Sequence, residues 1–298
     1  MPHLKTLADC TSLPPAQIRK AFGGKALGLF EAHQLGIPVP LTWFLSSDHF
    51  EKLLAQNPTL DPRDFQNLAR DSIYTLLEEE MKKLPEGKFA IRSSGWHEDS
   101  NIQSYAGIFE TKLNIAKQDI PDAIASVWES SFSLRALSYQ TPDEMLTMGI
   151  IIQPMVTAKF SGVLFSRHPS PSNVFENRDI VIEFAHASGE KVAGGQVIPL
   201  RLTGSFETLS TLTDFPWINP LLKATLHLTT AYQHDVDIEF TIDQNEQFWL
   251  LQQRPISKTT QSHTLDLSAY QRAYKRSLCT LDIELLIEGC SKHLASYL

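Results

Sequence analysis

The sequence predicts an α+β protein, helix-rich in its first part and strand-rich in its later part. Three observations carry this reading. Apolar residues recur at helical spacing in several segments before residue 130. From Gly149 onward, short β-branched and aromatic runs dominate. Two of those runs, Asp237–Ile242 and Phe248–Gln252, are joined by Asp243-Gln244-Asn245-Glu246 as the strands of a hairpin would be.

The first helix is expected from about Gly24 to Leu35, ended by Gly36 with Pro38 and Pro40 beyond it. A second covers 64–83, with Leu68, Ile73, Leu76, Leu77 and Met81 at helical spacing and Pro85 as its stop. Lys88–Arg92 and Ala106–Ile115 read as strands flanking a polar loop. Another helix places Ile120, Ile124, Val127 and Trp128 on one face, with Pro121 near its start. Strands are then expected at Gly149–Val156, Gly162–Ser166 and Ile180–Phe184, and a helix around Leu221–Tyr232 precedes the final hairpin. Tyr270, Tyr274, Leu278 and Leu281 return to helical spacing after Ser257-Lys258. The expected organisation is one unit over 1–258 and a helical tail over 259–298.

The length of 298 residues suffices for a substantial core, and 42% apolar with 20% charged residues is the composition of an ordinary globular protein. No run of apolar residues is long enough for a membrane span, and the N-terminal MPHLKTLADC lacks the layout of a secretory signal. A net charge of −8 argues against nucleic acid as a partner, since no basic cluster could neutralise a phosphate backbone. It leaves room for a nucleotide, which needs only a few placed cations. Cys10, Cys279 and Cys290 are far apart and form no CxxC pair, which points away from zinc and towards a reducing cytoplasm.

Several stretches carry candidate chemistry. In 22-FGGKALG-28, neither a Walker A nor a dinucleotide glycine pattern is met. What remains is Lys25 at a helix start, either a solvated lysine in a capping turn or a cation beside amides that favour anions. In 89-FAIRSSGWHEDSNIQSYAGIFET-111, Arg92 could reach a cleft, Ser93 and Ser94 could donate hydroxyls, and Gly107 would permit close backbone approach; an ordinary surface turn explains the same residues. His97 reads as a surface residue with no catalytic role.

The stretch 237-DIEFTIDQNEQFWLLQQRPIS-257 is the most informative. Asp237 and Glu239 lie two apart on a strand and share a face, and Gln252 and Arg254 repeat that spacing on its partner. Carboxylates, a carboxamide oxygen and a guanidinium are what a phosphate-bound Mg²⁺ and a phosphoryl group would want. Exposed cross-strand ion pairs are the plainer reading. In 150-IIIQPMVTAKFSGVLFS-166, Gln153 and Met155 sit where an apolar strand enters a connector, which suits an adenine slot or simply a buried core strand. Glu183 closes another strand and could touch a ribose or a metal, or be a strand-end carboxylate.

Taken together and in order, FGGKALGLFEAHQLGIPVP, FAIRSSGWHEDSNIQSYAGIFETKLNI, WESSFSLRALSYQ, IIIQPMVTAKFSGVLFSRHP, ASGEKVAGG and DIEFTIDQNEQFWLLQQRPIS resemble the nucleotide-binding domain of the pyruvate phosphate dikinase and phosphoenolpyruvate synthase family, an ATP-grasp fold. The resemblance covers about residues 20 to 258. It implies an ATP cleft between two lobes. Lys25 and Arg92 match the family's phosphate-contacting cations, Gly107 and Thr111 its phosphate-loop positions, and Gln153 to Val156, with Met155 between, its adenine connector. Glu183 falls near the ribose-side carboxylate. Asp237, Glu239 and Gln252 match the metal-side group, with Glu239 and Gln252 as the Mg²⁺ ligands, and Arg254 matches the catalytic arginine. The polar hairpin would then be a lid over the triphosphate.

Two loops depart from the family pattern: SGWHED follows Arg92 where small residues are usual, and Ala187-Ser188-Gly189-Glu190 replaces a more glycine-rich turn. No swivelling phosphohistidine domain or phosphoenolpyruvate domain is expected in this length. The implied function is an ATP- and Mg²⁺-dependent phosphotransferase. Its phosphoryl acceptor would be a small molecule or a histidine on a partner protein, reached directly or after pyrophosphoryl transfer. An ATP-grasp ligase forming an acyl phosphate and a non-catalytic ATP-binding regulatory module are the competing readings.

Overall fold

A computed structural model describes residues 3–57, 61–96, 110–132, 147–167, 179–186 and 199–256. The chain divides into two units, Met1–Ser257 and Lys258–Leu298, and all the described residues lie in the first. The helical tail expected over 259–298, the loop bearing His97 and Gly107, and the turn from Ala187 fall outside them.

Among the described residues the strands form two antiparallel sheets of five strands each. The first contains β1 (Leu4–Thr6), β2 (Trp43–Leu45), β3 (Lys88–Gly95), β4 (Thr111–Ala116) and β5 (Met148–Pro154), in the order β1-β2-β5-β3-β4. The second contains β6 (Ala158–Phe165), β7 (Ile180–Ala185), β8 (Leu200–Gly204), β9 (Val236–Asp243) and β10 (Phe248–Pro255), in the order β10-β9-β6-β7-β8. The helices are α1 (Pro15–Phe22), α2 (Gly24–Gln34), α3 (Ser47–Gln56), α4 (Pro62–Met81), α5 (Ile120–Glu129), α6 (Phe206–Ser210) and α7 (Ile218–Tyr232).

Each sheet owns a core. Helix α4 begins where Asp61 accepts hydrogen bonds from Arg63 N and Asp64 N at 2.9 and 3.0 Å, a cap worth about 1 kcal/mol. Its Phe65, Ala69, Ile73 and Leu77 recur every fourth residue and are buried in one cluster with the first sheet's Phe89, Ile91, Ile150 and Ile152. Burial of each large side chain among them contributes about 1.5–3 kcal/mol. Phe50 and Trp128, from α3 and α5, pack ring to ring in the same cluster. The second sheet sends Phe160, Leu164, Ile182, Phe184, Ile238, Phe240 and Ile242 into a second cluster, where Trp217 and the α7 residues Leu221, Leu222 and Leu228 meet them.

Within the described residues, the expected elements are present with shifted ends. The strand expected at Lys88–Arg92 runs on to Gly95, so Arg92 is not terminal. Ser161-Gly162 lies inside β6; the connector between the sheets is 155–157. Strand β8, the short β1 and β2, and helices α1, α3 and α6 have no counterpart among the expected elements. In β8, Leu200-Arg201-Leu202-Thr203 alternates over too few residues to stand out from a loop.

Candidate functional site

The start of α2 is fastened to the end of β3. Gly23 precedes the helix with φ 90°, and a Cβ there would lie 2.0 Å from Ser94 O, so both conformation and space require glycine. Ser94 Oγ then accepts a hydrogen bond from Ala26 N at 3.1 Å, capping α2 from a neighbouring strand. Lys25 Nζ donates to Ser93 Oγ at 3.3 Å. Both serines are buried, which corrects the expectation that they offer hydroxyls to a ligand. They hold the lysine and its helix instead.

Arg92 lies across from Thr111 on β4 and Ile151 on β5. Its side chain is 12% exposed, and Nη1 comes within 3.8 Å of Glu239 Oε2 on the second sheet. Its Nε is buried without a hydrogen-bond partner. The first sheet thus sends a nearly desolvated cation to the second sheet's carboxylate.

The second sheet's register sorts its residues by face. Val163 pairs with both Glu183 and Glu239, and Glu239 pairs with Gln252, so these residues form one row. Two positions along, Phe165 pairs with Val181 and Asp237, and Asp237 pairs with Arg254. Both rows lie on one face because strand side chains alternate. The other face carries the buried Ile182, Leu164 and Ile238.

Placing Gln252 and Arg254 on that face requires an irregularity. Phe248 and Leu250 are buried in the core, and strict alternation would send residues 252 and 254 after them. A bulge between Leu250 and Gln252 inserts Leu251 and resets the alternation, aligning Gln252 with Glu239 and Arg254 with Asp237. Sequence reasoning brought these residues together without seeing that the bulge was needed; nothing in FWLLQQRP marks it.

Asp237 is 6% exposed and its Oδ2 accepts from Arg254 Nε at 2.7 Å, with Arg254 Nη2 at 2.6 Å from the same oxygen. Burial pushes the Asp237 carboxyl above its ordinary value, and the Arg254 guanidinium pulls against that shift. The carboxylate anticipated on the metal side is therefore engaged in aiming the arginine. Glu239 is more open, its side chain 36% exposed, and faces the Gln252 position. Among the described residues no group of three or more His, Cys, Asp or Glu side chains could hold a metal. A carboxylate opposite a carboxamide oxygen fits Mg²⁺, which is ordinarily held by one or two protein oxygens plus waters and substrate phosphates. Glu183 approaches Arg201 at 3.6 Å.

Gln153 is buried and its Nε2 donates to Thr42 Oγ1 at 2.9 Å, so its side chain is structural. Met155 N donates to Lys88 O at 2.8 Å, and Met155 and Val156 are half-buried in the connector. Thr111 is exposed at the start of β4. Gly107 lies outside the described residues.

The family described as "Pyruvate phosphate dikinase, AMP/ATP-binding domain" matches residues 60–214 and 211–273. A phosphoenolpyruvate synthase of Aeropyrum pernix is 28% identical, covering 64% of this chain and 27% of that protein. An uncharacterized phosphotransferase of Bacillus subtilis is 28% identical over 88% of this chain and 36% of its own length. The rifampicin phosphotransferase of Bacillus subtilis is 26% identical, with 79% and 34% covered. The chain thus spans roughly a quarter to a third of the length of these curated relatives. No helix among the described residues is long and apolar enough to cross a membrane.

Proposed function

The chain belongs to the pyruvate phosphate dikinase AMP/ATP-binding family, and on that premise we propose that its α+β architecture is an ATP-grasp fold and that it is an ATP-dependent phosphotransferase or the nucleotide-handling part of one. The observation that carries the proposal is the meeting of Arg92 with Glu239 across the two sheets, beside the Gln252 and Arg254 positions. Cations and hard oxygen donors converge there from distant parts of the chain, as a metal-chelated triphosphate requires.

In this reading Lys25 and Arg92 hold phosphate oxygens, with Thr111 and Gly107 supplying the loop side of the same site. The segment Gln153 to Val156, including Met155, borders the adenine, and Glu183 faces the ribose. Because Met155 N–H is already donated to Lys88 O, the base edge is read by other connector groups. Glu239 and Gln252 would hold Mg²⁺, which supplies charge neutralisation on the phosphates when bound. Arg254, aimed by Asp237, stabilises the transferring phosphoryl group, whose charge is spread over its oxygens. The buried, nearly desolvated setting of Arg92 strengthens its attraction for phosphate relative to water. The acceptor is a small molecule or a histidine on a partner protein. The nucleotide-binding unit is assigned to 1–258.

The test is to incubate the chain with ATP and Mg²⁺, with and without cell extract, and identify the nucleotide products. AMP and phosphate indicate dikinase chemistry, and ADP formed only with an added acceptor indicates a kinase. Appearance of an amide product would replace the proposal with a ligase, and absence of any ATP binding would end it.

A further inference from the structure

On the face of the second sheet opposite the proposed site, a polar chain joins α2, α7 and β10. Tyr232 donates its hydroxyl hydrogen to Glu31 Oε2 at 2.7 Å, and Gln253 Nε2 donates to the same hydroxyl at 3.1 Å. The Tyr232 ring stacks on His234, with centroids 5.3 Å apart and planes at 9°. Gln253 is 6% exposed, and its Oε1 has no hydrogen-bond partner. Burial pushes both the Glu31 carboxyl and the Tyr232 phenol above their ordinary values.

Such a chain is a costly way to fill space. A buried oxygen left unpaired is destabilising, and well-packed apolar residues often serve stability equally well. Its return is orientation, and its location shows of what. Helix α2 carries Lys25, Gly28 and Glu31 at successive turns. Gly28 lies so close to β10 that a Cβ on it would sit 2.9 Å from Gln253 Nε2. Gln253 in turn stands between Gln252 and Arg254, which face the other way.

We infer that Glu31, Tyr232 and Gln253 are positioning residues that lock the Lys25-bearing helix in register with the strand carrying Gln252 and Arg254. The inference rests on the ATP site proposed above. Phosphate-binding groups work through fixed geometry, and a displacement of about 1 Å far from the chemistry is costly.

The experiment is a double-mutant cycle on MgATP affinity, measured calorimetrically with the full chain. Tyr232→Phe keeps the ring and removes the hydroxyl. It is expected to weaken MgATP binding about fivefold alone, but less than about twofold in a Lys25→Ala background, since a contact already absent cannot be misplaced. Equal losses in both backgrounds overturn the inference while leaving the ATP site standing. Failure of the unmodified chain to bind MgATP instead overturns the site itself, and the inference with it. A second comparison guards against a variant that does not fold. Glu31→Gln keeps an oxygen for the Tyr232 hydroxyl and is expected to bind MgATP more tightly than Glu31→Ala. Equal weakening by both overturns the inference.

Discussion

The end of β3 and the β9–β10 hairpin both supply the proposed site, yet they use polar residues in opposite ways. At the end of β3, Ser93 and Ser94 are buried and hold Lys25 and the start of α2. Arg92 crosses towards the other sheet. On the hairpin, Asp237, Glu239, Gln252 and Arg254 are gathered on one face, and a bulge in the strand puts the last two there. The first region is a mount for cations, and the second is a patterned surface. Damage to the mount should therefore appear in affinity and stability, and damage to the surface in turnover.

Inserting an alanine between Gln252 and Gln253 should have the largest effect. Strict alternation beyond the insertion would turn Arg254 towards the core, where burying an unpaired charged group costs several kcal/mol. Circular dichroism should show a destabilised protein without MgATP binding. A stable insertion variant with normal turnover would show that strand alternation does not set the face of Arg254. Arg254→Ala comes next. If Arg254 stabilises charge in the transition state, kcat falls by about a hundredfold or more with a much smaller change in ATP affinity, as steady-state kinetics can resolve. An effect confined to KM would move Arg254 from the reacting group to ground-state binding.

Lys25→Ala and Arg92→Ala should show the reverse pattern, each weakening MgATP binding by about tenfold, the size of a lost charged hydrogen bond, without unfolding the protein. Unchanged affinity in either titration would remove that cation from the site. The smallest effect belongs to Ser94→Ala. Losing the oxygen that caps α2 should cost about 1 kcal/mol, or roughly 2–4 °C in Tm for a chain of this size. A drop in kcat with no loss of Tm would mean that Ser94 serves the chemistry directly and is not part of the mount.

The difference between the regions also explains what the sequence disclosed. The carboxylates and Arg254 were legible because two-residue spacing on a strand is a local property. Helix α4 was legible for the same reason, its apolar residues recurring at the helical period. The inward role of Ser93 and Ser94 was not, because it depends on α2 lying against β3, a contact between segments 68 residues apart. The bulge at Leu251 was hidden because it is defined by pairing with β9 and not by any residue in β10. Glu31, Tyr232 and Gln253 carry no motif, and only the packing of α2, α7 and β10 brings them together.

The claim beneath all of this is that the two sheets grip one metal-bound triphosphate. Calorimetric titration of ATP with and without Mg²⁺, on the unmodified chain and on Glu239→Ala, tests it most directly. The account predicts that Mg²⁺ tightens ATP binding to the unmodified chain and that Glu239→Ala abolishes most of this gain. An undiminished Mg²⁺ gain in Glu239→Ala would place the metal elsewhere and contradict it.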